Sequence, residues 1–173
     1  TSERSAALAR RLGVPLTSFA EHRYLDLTID GADQVERGTL ALVKGLGGAL
    51  LREKIVASAS RRMIVVVDET KLVKRLGDRT PLPVEIVPFG WEAVMDRLAA
   101  LEGRPELRCQ DAKPFVTDNG NYIADCRFTA ITDPAQLEAR LTAIIGVVES
   151  GLFLGLASKV IVGSRHGVEE IEP

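Results

Sequence analysis

Apolar positions recur at two spacings along this chain, and the change from one spacing to the other outlines its elements. Leu8 and Leu12 lie four apart between Ser2, a helix-capping residue, and Gly13, a helix stop, which predicts a short helix over Arg4 to Leu12. From Tyr24 to Asp30 polar and apolar residues alternate, with Leu25, Leu27 and Ile29 on one side, as in a strand; it ends in Asp30-Gly31-Ala32-Asp33. The apolar run Leu40 to Val43 delivers Lys44 to Gly45-Leu46-Gly47-Gly48 and then to a helical stretch, Ala49 to Ser60. Met63 to Val67 is apolar throughout and valine-rich, the pattern of a parallel strand covered on both faces. Asp68-Glu69-Thr70-Lys71 follows its carboxyl end. Helices and strands in alternation favour an open α/β sheet, whose ligands collect beyond the carboxyl ends of the strands.

The pattern changes after Gly77-Asp78-Arg79-Thr80-Pro81-Leu82-Pro83, a stretch that predicts a domain boundary. Strand patterns over Val84 to Val87, Glu106 to Gln110, Tyr122 to Phe128 and Val147 to Leu154 are interleaved with helices over Trp91 to Leu101 and from Asp133-Pro134 to Ile144. Asp118-Asn119-Gly120 supplies a hairpin turn. The order βαββαβ is that of a ferredoxin-like unit. Lys159 to Gly163 and Gly167 to Ile171 then read as two strands returning to the first unit, so residues 1–80 with 155–173 form one domain and 81–154 a second, smaller one.

Charge narrows the partners. Lys and Arg number 22 against 24 Asp and Glu, and the isoelectric point is near 5.8, whereas a nucleic-acid-binding domain commonly exceeds about 9. No nucleic acid is expected; a few local lysines suffice for a small anion. The longest apolar run, Met63 to Val67, is far short of the roughly 20 residues of a membrane span, so no membrane partner is expected. Thr1 to Ser5 mixes acid and base and does not resemble a secretory signal, which points to a cytoplasmic protein. Cys109 and Cys126 lack CxxC or Cys/His company and read as two reduced, semi-buried thiols; no metal or cofactor is expected. His22 and His166 stand alone and read as surface residues.

Four groups could carry chemistry. Asp30 and Asp33 are either turn formers around Gly31 or two carboxylates at a strand mouth. The glycines after Lys44 either let a helix pack closely or bring peptide N–H groups up to an anion; the run is neither a Walker loop nor a GxGxxG fingerprint. Glu53 has Ala49, Leu50, Val56 and Ala57 at its three- and four-residue neighbours, so it either points to water or is partly desolvated. Desolvation raises a carboxylate's pKa and suits it to taking protons from carbon acids. Lys71 is a solvated loop lysine unless the crevice gathers it with the others.

In combination these segments resemble one family, ribose-5-phosphate isomerase type A. The matching stretches are Asp30 to Asp33, Lys44 to Leu50, Arg52 to Ile55, Asp68 to Lys71, Pro81 to Glu85, Val116 to Asn121 and Gly146 to Phe153, in order along nearly the whole chain. The resemblance implies a Rossmann-like open parallel sheet carrying an inserted ferredoxin-like domain. It implies an aldose-ketose isomerase that interconverts ribose 5-phosphate and ribulose 5-phosphate through a cis-enediolate without a metal, as a homodimer or homotetramer. It assigns Glu53 as general base with Asp30, Asp33 and Lys44 beside it, and Asp30, Gly31, Ala32, Asp33, Lys44, Gly45, Leu46, Gly47 and Lys71 as substrate contacts. Gln34 stands where the family commonly has Glu, and Leu46 where it often has Gly. The family's opening helix and strand, with a Gly-Thr-Gly-Ser-Thr type phosphate loop, have no counterpart, so the expectation is a piece of a longer polypeptide. A reading from another class is a sugar-phosphate-sensing module like DeoR-type effector domains; the joint presence of Glu53, Lys44 and Lys71 disfavours it.

Overall fold

The structure, a computed structural model, describes Thr1–Pro173. Its first half contains α1 (Glu3–Arg11), β1 (Thr28–Asp30), β2 (Gln34–Glu36), β3 (Leu42–Val43), α2 (Leu50–Ser58), β4 (Met63–Asp68), a 3-10 turn over Glu69–Lys71 and β5 (Leu72–Val73). There follow β6 (Leu82–Ile86), α3 (Trp91–Ala99), β7 (Arg104–Leu107), β8 (Cys109–Gln110), β9 (Lys113–Pro114), β10 (Tyr122–Arg127), α4 (Pro134–Thr142) and β11 (Val147–Ser150). The chain closes with β12 (Leu152–Phe153), β13 (Ala157–Ser164) and β14 (Gly167–Ile171). The protein is thus mixed α/β, with parallel and antiparallel sheets.

One sheet runs β1-β4-β13-β14, with β4 parallel to both β1 and β13. A second, all antiparallel, runs β11-β6-β10-β7, and α3 and α4 cover one of its faces. Between them lies a small sheet, β12-β3-β2-β5. Alternation along its strands explains its place: Val43 and Leu152 enter the core beneath α3 and α4, while their neighbours Leu42 and Phe153 enter the core around β4 and β13. Two residues in each strand therefore face two different cores. The small sheet is the wall between them, and Lys44 emerges from that wall.

Several expectations are corrected here. The strand expected over Tyr24 to Asp30 is paired only over Thr28–Asp30, apart from one bridge between Leu25 and Ser60. Its inward residue is Thr28, whose hydroxyl lies 2.5 Å from that of Ser60, while Ile29 is 65% exposed. Met63–Asp68 likewise buries one face, with Met63, Val65 and Val67 packed in one core with Val35, Leu40, Leu42 and Phe153, while Val66 is exposed. Lys44 does not follow a parallel strand: β3 is antiparallel to both β2 and β12. The short strands β2, β5 and β9 escaped the reading, two or three residues being too few to show a period, and the strand expected over Glu106 to Gln110 divides at Arg108 into β7 and the hairpin strand β8. The hairpin turns through Asp111 and Ala112, both at positive φ, and sits between β7 and its returning partner β10.

The strand expected over Val147 to Leu154 breaks at Gly151, where the chain leaves one sheet for another. Gly151 N–H donates to Pro83 O at 2.7 Å and its carbonyl accepts from Lys44 N–H at 2.9 Å. The backbones are so close that a side chain there would strike the Lys44 and Pro83 carbonyls. The cysteines also divide: Cys109 is exposed, whereas Cys126 is buried and desolvation pushes its thiol up to about 12. His22 and His166 are both exposed. No helix is long and apolar enough to cross a membrane.

Candidate active site

Lys44 is the centre of the site. Its side chain is only 4% exposed, and its ammonium reaches Gly31 O at 2.6 Å, Asp30 Oδ2 at 3.0 Å and Glu53 Oε2 at 3.3 Å. An ammonium has three protons, and a buried one is tolerated only when they are met by acceptors. The Phe153 ring, 5.5 Å from Nζ, packs a π face against the same charge.

Glu53 lies in the first turn of α2 with its side chain 17% exposed, so of its two open readings the desolvated one holds. Its Oε2 meets Lys44 as an ion contact without hydrogen-bond alignment. Burial raises its pKa above the ordinary carboxylate value; Lys44 opposes the shift, and the negative charges of Asp30 and Asp33 add to it. The result is a carboxylate that binds a proton more readily than an exposed glutamate.

The two aspartates are anchored differently. Asp30 Oδ1 accepts from Gly31 N–H at 2.8 Å, leaving Oδ2 to Lys44. Asp33 Oδ2 accepts from Leu46 N–H at 2.9 Å, tying the Asp30–Asp33 turn to the glycine loop. Leu46 is used only through its backbone and its side chain is 40% exposed, so a residue other than glycine fits. Gln34, 1% exposed, donates to Thr80 Oγ1 at 2.9 Å and accepts from Gly77 N–H at 2.8 Å. That donor-and-acceptor demand suits an amide better than a carboxylate.

Asp30, Asp33, Lys44 and Glu53 line a crevice of ≈ 260 Å³ with Gly31, Ala32, Gly45, Gly47 and Lys71. Asp30, Gly47 and Glu53 are shared with an adjoining cavity of ≈ 550 Å³, walled on its far side by Arg4 of α1 and by Phe115. Nine of the ten residues singled out from the sequence therefore line one crevice, and the tenth, Leu46, joins them through its backbone bond to Asp33. The sequence reading missed the contribution of residues around the second sheet. Arg108 donates to Gly45 O at 3.0 Å and Leu46 O at 3.1 Å, and the Phe115 ring packs on Gly48. The available signal was Asp125, a charge in the middle of a strand, which holds Arg108. No cluster of three or more His, Cys, Asp or Glu side chains is arranged to hold a metal ion.

Carboxylates around a buried ammonium, one of them primed to take a proton, beside open peptide N–H groups, define an α/β enzyme of the proton-transfer type. The model of one family, ribose 5-phosphate isomerase A (phosphoriboisomerase A), matches residues 1–167, and the chain belongs to that family. It is 57% identical over 173 residues to ribose-5-phosphate isomerase A of Gloeobacter violaceus, covering 100% of this chain and 75% of that protein. The Gluconobacter oxydans protein of the same name is 52% identical over 175 residues, covering 100% and 76%. Among solved structures, ribose 5-phosphate isomerase A from Methanocaldococcus jannaschii superposes with a TM-score of 0.94 at 40% identity, over 99% of this chain and 76% of that one. A D-ribose-5-phosphate isomerase in complex with phospho-erythronic acid gives 0.95, also at 40% identity and over the same shares, 99% and 76%.

Proposed function

We propose that this protein interconverts D-ribose 5-phosphate and D-ribulose 5-phosphate, with Glu53 as the general base. The observation that carries the reading is the half-buried Glu53 carboxylate 3.3 Å from the Lys44 ammonium at the edge of a cavity of ≈ 550 Å³.

The chemistry follows from the substrate. Glu53 takes the proton from C2, the C–H electron pair becomes the C1–C2 double bond, and the C1 carbonyl oxygen becomes an oxyanion. The hydroxyl proton of O2 passes to O1, O2 closes to a carbonyl, and Glu53 returns its proton to C1. A single carboxylate serves both carbons when the enediolate is cis. Lys44 and the Gly47 N–H, which donates to no group of the chain, offset the charge developing on oxygen. Each such donor is worth about a hundred- to a thousandfold in rate. Asp30 orients Lys44 and a substrate hydroxyl, Asp33 holds the loop, and Lys71 meets substrate oxygens or the phosphate. Asp30 and Asp33 together also assist opening of the sugar ring.

Residues 1–80 with 155–173 serve in this reading as a Rossmann-like catalytic unit, and 81–154 as an inserted ferredoxin-like one. The sheet order β11-β6-β10-β7 with both helices on one face supports the latter. A homodimeric or homotetrameric assembly is part of the same proposal. The relatives named above are enzymes, which leaves the sugar-phosphate sensor without support.

The test is exchange of the C2 proton of ribose 5-phosphate with solvent, measured beside isomerisation. The protein is expected to catalyse both, and Glu53→Gln to lose about 10²- to 10⁴-fold in kcat, the range of general-base catalysis, while still binding the sugar phosphate. Binding without exchange in the unaltered protein would return the sensor reading.

A further inference from the structure

The glycine loop holds itself by one internal bond, Gly48 N–H to Gly45 O at 3.0 Å. Gly45 and Gly48 have φ of +105° and +84°, conformations that leave the adjacent peptide planes free to turn. The Gly45 and Leu46 carbonyls are held further by a side chain from beyond the loop. Arg108 lies just past β7 with its side chain 14% exposed. Its Nε and Nη2 are taken by the Asp125 carboxylate at 2.8 and 2.5 Å, so the guanidinium cannot swing. The remaining Nη1 donates to two successive carbonyls, Gly45 O at 3.0 Å and Leu46 O at 3.1 Å. The Phe115 ring, its centroid 5.8 Å from the guanidinium carbon, seats against Gly48 and closes the loop from the same side.

A trans peptide points its C=O and its N–H in opposite directions. Drawing the Gly45 carbonyl towards Arg108 sends the Leu46 N–H the other way, and there it meets Asp33 at 2.9 Å. Drawing the Leu46 carbonyl towards Arg108 likewise sends the Gly47 N–H the other way. Gly47 lines both the crevice and the cavity that share Glu53, and its N–H donates to no group of the chain.

We propose that Arg108, locked by Asp125, is a positioning residue that aims the Gly47 peptide N–H at the oxyanion of the reaction. This rests on the isomerase reading above. It makes the inserted unit part of the catalytic apparatus although none of its side chains reaches the reacting carbons. A donor preset in this way acts where charge develops and binds the neutral substrate little.

The experiment compares the full-length protein with Arg108→Met, Arg108→Lys and Asp125→Asn. Three readouts are taken: kcat and KM for ribose 5-phosphate, C2 proton exchange, and binding of phospho-erythronic acid, whose carboxylate places negative charge near the reacting end. Arg108→Met is expected to lose roughly ten- to a hundredfold in kcat and in exchange, with KM within about threefold, since the donor is misaimed rather than removed. Phospho-erythronic acid binding should weaken by a similar factor. Lysine reaches one carbonyl at most, and Asp125→Asn loosens the guanidinium, so both should fall between Met and the parent; they also serve if Arg108→Met fails to fold. A kcat within twofold of the parent in the folded variants overturns the proposal. So does a loss that disappears when kcat is expressed per folded molecule, which would leave Arg108 a purely structural brace. Absence of exchange and isomerisation in the unaltered protein overturns the isomerase reading itself, and with it this inference.

Discussion

Glu53 and Glu85 each have one buried carboxylate oxygen, Oε2, that no hydrogen-bond donor meets, and their surroundings could hardly differ more. Glu85 is 0% exposed on β6, on the sheet face away from α3 and α4. Its Oε1 collects Thr117 Oγ1 at 3.0 Å, Asn119 Nδ2 at 3.2 Å and Asn121 Nδ2 at 2.8 Å. Every donor is neutral, every one belongs to a single turn, and the group borders neither the crevice nor the cavity around Glu53. Glu53 instead faces an ammonium and two further carboxylates at the edge of open space. Burial alone therefore says little about catalysis. A carboxylate wrapped in fixed neutral dipoles organises a turn; one balanced between charge and cavity can change protonation state during a reaction.

The turn held by Glu85 also reaches the site indirectly. Asn119 Oδ1 accepts from Arg52 Nε at 2.9 Å and Asp118 O accepts from Arg52 Nη2, also at 2.9 Å. Arg52 precedes Glu53 on α2, so the turn helps set the rotation of the helix that carries Glu53. The comparison is broken most decisively by exchanging the two charges for neutral groups.

Glu53→Gln is the largest expected effect on turnover, the collapse described above, and its effect on stability has the opposite sign from the usual salt-bridge deletion. Because the folded state raises the Glu53 pKa, the ionised form is disfavoured by folding. That cost is absent below the unfolded value, and stability is lost as pH rises from the unfolded towards the folded pKa. Glu53→Gln should flatten this segment of the stability-pH curve, measured by thermal or urea unfolding; a steeper segment contradicts the assignment.

Lys44→Met follows, with kcat lower by about 10²- to 10³-fold from loss of the oxyanion partner. Lys44 opposes the upward shift of Glu53, so the acid limb of kcat/KM should move to higher pH in this variant. A limb that stays in place would detach Lys44 from the base.

Glu85→Leu should act on stability instead. It strands three donors in the interior, and removing one partner of a buried polar network costs about 3 kcal/mol, read as a lower urea midpoint. The kcat per folded molecule should stay within about threefold. A loss in kcat as deep as that of Glu53→Gln would erase the distinction. The smallest effect is expected of Lys71→Ala, a rise in KM of about tenfold, the worth of one charged contact to substrate, with little change in kcat.

Much of this site could be read in the chain because its groups cluster in short, contiguous stretches. Lys44 and its glycines, Asp30 and Asp33, and Glu53 each sit where an element ends or begins, and those boundaries carry the strongest local signals. What could not be read is what pairs across long separations. Pro81 to Glu85 and Val116 to Asn121 were visible as motifs without a purpose; they meet on one carboxylate oxygen, which only the β6–β10 register reveals. Arg108 carries no motif at all, since its role depends on Asp125 across a sheet. The exposed face bearing Ile29 and Val66 was misjudged for a related reason: apolar character along a strand does not say which face finds a partner.

Gly151 has a bearing on how such sequences can diverge. Because the main chain of Lys44 rests directly against it, even a methyl group there would pry the ammonium's own strand away from its neighbour. Drift at that residue would thus be felt first as a misplaced cation and only afterwards as a weakened interior. The seam between the two cores works as a hinge welded shut, with the buried Lys44 charge mounted on the weld.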